Sequence, residues 1–265
     1  MGEDRPSPLA DAKAYDEPSV FEPSNLLDEA RRQKGLPDEE VPEVCVLDPD
    51  GDVVRHLLDE GRAEPFENWP GYHTDLYTFE LNGREHGIVG NAVGAPFAVL
   101  VAEQLFAAGC KLLVSVTSAG RIEERDDPPY FVLIEGALRD EGTSHHYAPP
   151  SRYAEADAEL VDAVEEACSE AVPTVYTGAT WTTDAPFRET GTAVERARSE
   201  GVLAVEMEAA ALYTFADARD EDIVCFAHVT NEMGRADEDF EKGEAMGSHD
   251  TLAVIDAAVA AAFDI

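Results

Sequence analysis

Positive charge is what this chain of 265 residues has least of. It carries 19 Lys and Arg against 56 Asp and Glu, a net charge of −37, and only four lysines: Lys13, Lys34, Lys111 and Lys242. Binding to a polyanion rests on basic residues that neutralise phosphates, so nucleic acid and anionic membrane are excluded as partners. An acidic coat nearly free of lysine points to a halophilic protein working in molar salt, where the screening length falls to about 3 Å and self-repulsion is damped. Cysteine is also scarce. Cys45, Cys110, Cys168 and Cys225 are far apart and no pair has metal-ligand or redox spacing. They read as buried free thiols of a cytoplasmic protein. No apolar run approaches the ~20 residues of a membrane span, and no secretory signal is recognisable. What is present is ordinary for a globular chain: 44% hydrophobic residues and a length that fits one large domain.

Residues 1–42 form an acidic, Pro-rich arm with one short helix expected at 25–33 and a disordered start. From 43 to 265 strand and helix patterns alternate. A buried strand at 44–47 meets the turn Asp48-Pro49-Asp50-Gly51, then a helix over 52–60. Strands at 74–81 and 85–89 flank the hairpin signal Asn82-Gly83. A helix over 96–108 starts on Pro96 and stops at Gly109. A strand at 112–116 precedes Thr117-Ser118-Ala119-Gly120, read as a turn of small residues. Strands follow at 131–134, 172–176 and 223–229, and helices at 154–170, 190–200 and 248–263, with a polar loop over 231–247. This predicts an α/β domain, a three-layer sandwich with a mixed twisted sheet between helices. Ligands of such sheets lie at the carboxyl ends of the strands.

The most unusual stretch is Val205-Glu206-Met207-Glu208-Ala209-Ala210, where an apolar run drives into two glutamates. Carboxylates at the end of a buried strand are expensive to desolvate and should be bound to something. A sugar diol is a natural partner, because an ionised carboxylate accepts from two hydroxyls. The residues alone equally allow a helix first turn, where glutamate favours the positive end of the dipole. Gly51 opening a helix with Arg55 one turn on would suit an anion. Ser118 and Asn231 offer small polar groups just past two other strands.

In this order, with Val93-Gly94-Ala95-Pro96 between them, these segments resemble the nucleoside phosphorylase superfamily, in its hexameric purine nucleoside and uridine phosphorylase branch. The likeness spans 44–265 and includes Arg139-Asp140-Glu141-Gly142-Thr143-Ser144. It implies phosphate binding by Gly51, Arg55 and Ser118, and ribose binding by Glu206, Met207 and Glu208. Glu208 would take the 2′- and 3′-hydroxyls. It further implies a base site of Ala119, Gly120, Phe187, Arg188, Glu189 and Asn231, with Asn231 aiding departure of the base. The activity implied is phosphorolysis of a 6-oxopurine nucleoside (guanosine or inosine) or of uridine. Inorganic phosphate is the co-substrate, and no cofactor or metal is needed. A homo-oligomer is implied, a hexamer of three dimers or a dimer. Departures from the family pattern are Ser115, Tyr72 and His73 where further phosphate arginines are usual, and Asn231 where the purine enzymes have an aspartate. Arg121, Arg139 or Arg188 could compensate. The departures keep two alternatives open: a nucleosidase that uses water, and a non-catalytic nucleoside-binding protein. His145-His146, His228, Trp69 and Trp181 read as structural residues.

Overall fold

Val44–Asp48 is apolar at nearly every position and wholly buried, the signature of a parallel strand covered on both faces. It is β1 of a ten-stranded mixed sheet in a computed structural model, which describes residues 8, 9, 13–171, 173–232 and 242–264. The other strands are β2 (Ala63–Pro65), β3 (Tyr77–Leu81), β4 (Arg84–Gly90), β5 (Leu112–Arg121), β6 (Tyr130–Asp140), β7 (Tyr153–Glu155), β8 (Val175–Thr183), β9 (Ala204–Glu206) and β10 (Asp222–Glu232). Among the described residues seven α-helices flank them: α1 (Pro23–Lys34), α2 (Asp52–Asp59), α3 (Ala95–Ala107), α4 (Ala158–Ala171), α5 (Gly191–Ser199), α6 (Ala209–Arg219) and α7 (Ser248–Asp264). One core layer joins α1, α3 and α6 to the sheet, through Leu27, Ala98, Leu105 and Leu212. The opposite layer joins α2, α4 and α7, through Leu57, Val164 and Ile255. The expected three-layer α/β arrangement is therefore present. The sheet also closes on itself: β5 pairs with β9 and β10, while β6 links β10 to β8 and β8 pairs with β9.

Several boundaries differ from the sequence reading, each for a local reason. Residues 117–120, expected as a turn, are strand, and the strand runs on to Arg121. β10 stays paired to them, through a bulge, as far as Asn231 opposite Gly120 and Glu232 opposite Arg121, and β9 takes up Gly120 and Arg121 from the other side. The small residues mark a strand that other chain segments approach closely. β10 likewise continues two residues into the expected loop, most of which (233–241) lies outside the described residues, as do residues 1–7 and 10–12 of the arm. α4 starts only at Ala158, because Asp157 accepts from the Leu160 amide at 2.8 Å and residues 153–155 pair with β6. The third strand begins at Tyr77 rather than 74, and β8 runs from 175 to 183 rather than 172 to 176. The described part of the arm packs on the domain: Leu27 and Ala30 of α1 are buried, and the Val41 amide donates to the Ala108 carbonyl.

Candidate active site

The ends of β1, β5 and β10 and the start of α6 converge, and the geometry is set by carboxylates with different fates. Glu206, at the end of β9, is fully enclosed. Its Oε2 accepts from the Glu208 and Ala209 amides, both at 2.7 Å, and its Oε1 accepts from the Thr180 hydroxyl at 3.1 Å and the Thr182 hydroxyl at 2.5 Å. It thus supplies the acceptor that the first turn of α6 lacks. Burial still pushes its pKa upward against these four donors. Its lone pairs are taken up by the protein, and the side chain turns towards β8.

Glu208 caps the next position, and its side chain leaves the helix. Oε1 accepts from the Gly94 amide at 2.6 Å, Oε2 from the Met207 amide at 3.3 Å, and the Thr117 hydroxyl donates as well. Only 1% of Glu208 is exposed. Burial first, and the neighbouring Glu206 charge second, push its pKa up to about 8. Asp50 adds a further upward push. Met207 beside it is half-buried.

Gly51 and Ser118, expected from the sequence to hold an anion, meet next to Thr117 through the Asp50 carboxylate. Gly51 has φ +73°, and a Cβ there would sit 2.6 Å from Asn91 Oδ1, so only glycine fits. Asp48, buried at the end of β1, accepts from the Gly51 amide at 3.1 Å and the Val54 amide at 2.9 Å, anchoring the start of α2. Desolvation raises its pKa to about 7. Ser118 already has an anionic partner: its amide and hydroxyl donate to Asp50 Oδ2 at 2.9 and 2.5 Å. Lys242 Nζ lies 3.7 Å from Asp50 Oδ2 and donates to Asp52 Oδ2 at 2.5 Å. His228, opposite Ser118 in register, stacks on Phe131 at 4.5 Å. Burial and Lys242 hold its pKa near 4, so the ring is neutral.

Not every residue predicted from sequence joins this cluster. Arg55 is 61% exposed and pairs with Asp52 on its own helix. Ser115 is buried in β5 between Leu47 and Cys225 in register. Arg139 holds the 144–151 loop through Ser144, Ala148, Pro149 and Ser151, and Arg121 donates to the Asp126 carbonyl. Tyr72 is exposed and donates to Gln33. Phe187 and Arg188 sit on an exposed turn after β8, with Glu189 partly buried and its pKa raised to about 7 by desolvation. Among the described residues no hydrogen bond ties that turn to Glu208, Ser118 or Asn231. Ala119 and Gly120 are buried in β5, and Asn231 is half-buried on β10 opposite Gly120. Sequence reasoning missed Asp50, Thr117 and Lys242. A lysine in a chain with so few was the available signal for the last.

The family model described as "Phosphorylase superfamily" matches residues 43–260. The chain belongs to this superfamily. Among curated relatives, a uridine phosphorylase of Thermococcus kodakarensis is 30% identical over 203 residues, 70% of this chain and 72% of that one. A DeoD-type purine nucleoside phosphorylase of Hahella chejuensis is 32% identical, over 52% of this chain and 59% of its own. A guanosine phosphorylase of Halorubrum lacusprofundi is 27% identical, over 51% and 56%. In fold the chain matches the crystal structure of uridine phosphorylase from Vibrio fischeri ES114, with a TM-score of 0.71 at 21% identity, covering 86% of this chain and 95% of that one. As a superfamily member with such relatives it is a nucleoside phosphorylase. No helix among the described residues is long and apolar enough to cross a membrane.

Proposed function

We propose that this nucleoside phosphorylase acts on a ribonucleoside with a 6-oxopurine base, guanosine or inosine, with uridine as the second candidate. The observation that carries the proposal is the buried carboxylate of Glu208, next to Thr117 and one residue from the Ser118 donors. Ionised, Glu208 accepts from the 2′- and 3′-hydroxyls of ribose, with Met207 beneath the sugar. Phosphate at Ser118 and the Gly51 helix start attacks C1′. A C1′–O bond forms as the C1′–N bond breaks, and the electron pair leaves with the base. Asn231, over the Ala119–Gly120 platform, has an amide that donates to a 6-oxo group or accepts from N7–H. It is not an acid, so the base must leave as an anion or take its proton from solvent. That favours bases able to spread the charge onto a carbonyl oxygen. Glu206 is assigned to holding α6 rather than to the sugar. Phe187, Arg188 and Glu189 are retained as base-side residues only in an oligomer, a hexamer of three dimers or a dimer, in which their exposed turn is covered. Exposed Val93 and Leu100, at the loop and helix that carry Gly94, support such pairing.

For phosphate to reach Ser118, Asp50 must turn away, leaving Lys242 as the nearby cation. A hydrolytic reading draws on the same carboxylate, since Asp50 could take a proton from a water at the phosphate position. Family membership favours phosphorolysis. The experiment is a turnover panel of guanosine, inosine, uridine and adenosine in molar KCl, with and without phosphate. Phosphate-dependent release of hypoxanthine or guanine with ribose 1-phosphate is expected. Base release at equal rate without phosphate would transfer the chemistry to Asp50 and water, and preference for adenosine would refute the role given to Asn231.

A further inference from the structure

A second cluster of chemically competent side chains lies outside the candidate active site, where α2 meets the start of α7. His56 and Glu60 are four residues apart, so they share one helix face. His249 is the second residue of α7, delivered by a turn in which Ala245, Met246 and Gly247 all take left-handed φ values of 51°, 57° and 75°. One ligand-type atom from each of the three side chains lies within 4.8 Å of the others. His56 Nε2 and Glu60 Oε2 are already 3.4 Å apart. That is the edge of a tetrahedron built on metal–ligand bonds of about 2.0–2.1 Å. His56 Nε2 is buried without a hydrogen-bond partner, an orphan that a metal ion would satisfy. The His249 ring meets the His56 ring edge-on with centroids 4.8 Å apart, and His249 is exposed and free to close the remaining gap.

We propose that His56, Glu60 and His249 bind one divalent ion of the zinc class, with water completing its coordination. Two imidazoles and a carboxylate suit zinc, cobalt or nickel better than magnesium or calcium, which prefer all-oxygen shells. Glu60 Oε2 also lies 3.2 Å from Arg62, and that exposed pair gives way or shares the carboxylate when the ion binds. The ion clasps α2 to α7 from behind, reinforcing the contact of the Ser248 hydroxyl with the Asp52 carbonyl at 3.4 Å. No step of the proposed reaction passes through it, so the two readings stand or fall separately. The test uses tag-free, chelator-treated full chain in molar KCl, which suppresses loose binding to the acidic coat. Calorimetry with Zn2+ and visible absorption with Co2+ should each report one saturable equivalent, with the d–d band of a four- or five-coordinate ion. His249→Ala, at an exposed site, should keep the metal-free melting temperature and lose at least about tenfold in affinity. Glu60→Gln should weaken binding in the same direction. Absence of a saturable equivalent, or several weak salt-sensitive equivalents indifferent to His249→Ala, would overturn the site.

Discussion

At the Glu208 end of the candidate site each polar group is held from behind. Glu206 accepts from two backbone amides and two threonine hydroxyls, and through those amides it fixes the turn from which Glu208 projects. Gly94 and Thr117 then orient the Glu208 carboxylate. At the Asp50 end the donors suited to an anion are held by the protein's own carboxylate, with Lys242 alongside. On the proposed assignment the sugar half is thus preorganised, and the phosphate half has to exchange one anion for another. Recognition of ribose should accordingly be rigid and tight. Phosphate binding should carry the added work of displacing Asp50.

The largest effects should come from the two glutamates, and they should differ in kind. Glu206→Ala leaves four buried donors without an acceptor. At about 1 kcal/mol or more for each, the loss is about 3–5 kcal/mol, a large part of a typical domain's stability. Urea unfolding should detect it, and turnover should fall with the folded fraction. Glu208→Gln keeps the shape and much of the hydrogen bonding, so the fold should persist. Its kcat/KM should drop about 10²–10³-fold, the loss seen when one transition-state contact is removed. If Glu206→Ala stayed folded and active, the division between a supporting and a sugar-binding carboxylate would collapse.

The pH response sharpens the same contrast. Folding raises the pKa of Glu208 to about 8 and that of Asp48 to about 7, above their unfolded values of 4.5 and 3.8. The native state therefore holds more protons than the unfolded chain across the interval between. The stability these groups contribute is complete below about pH 4 and is lost as pH rises through about 7 to 8. Activity should run the other way, because a protonated Glu208 cannot accept from both hydroxyls. Melting temperature should fall, and kcat/KM rise, between about pH 5 and about pH 8. Asp50→Asn removes one charge that raises the Glu208 pKa, so it should move the activity limb to lower pH. An unmoved limb would mean the two ends are electrically independent.

Much of this was legible in the sequence, but unevenly. Glu208, Ser118, Gly51 and Asn231 stand out because polar or glycine residues at the ends of apolar runs need a reason. The family resemblance also set Glu206 beside Glu208 on the sugar, yet what Glu206 does depends on Thr180 and Thr182 of β8, which only tertiary packing brings opposite it. Residues 117–120 looked like a turn because small side chains suit turns. They also suit a strand crowded by β9, β10 and the Asp50 loop. Asp50 itself resembled an ordinary turn residue, since nothing local tells that its carboxylate reaches a serine 68 positions away. The core layers were easier, because periodic burial is written into each helix separately.

The smallest effects lie at the anion end, and they rank its cations. Asp50→Ala should free Ser118 and lower the KM for phosphate, by up to about tenfold if the displaced charge opposes binding by about 1.4 kcal/mol. If hydrolysis were the reaction, the same variant would lose turnover instead. Lys242→Ala should raise the phosphate KM several-fold, because its side chain is only 15% exposed and its ammonium lies beside Asp50 and Asp52. Arg55 occupies the position where the family resemblance implies a phosphate arginine, but its side chain is mostly in water and already paired with Asp52. A pair whose cation lies mostly in water contributes little, so Arg55→Ala should change phosphate KM by no more than about twofold. The order of the two variants is the decisive reading. Should Arg55→Ala prove the more damaging, phosphate would have to draw the arginine off Asp52 and into the cleft, and Lys242 would revert to a neutralising partner for Asp50 and Asp52.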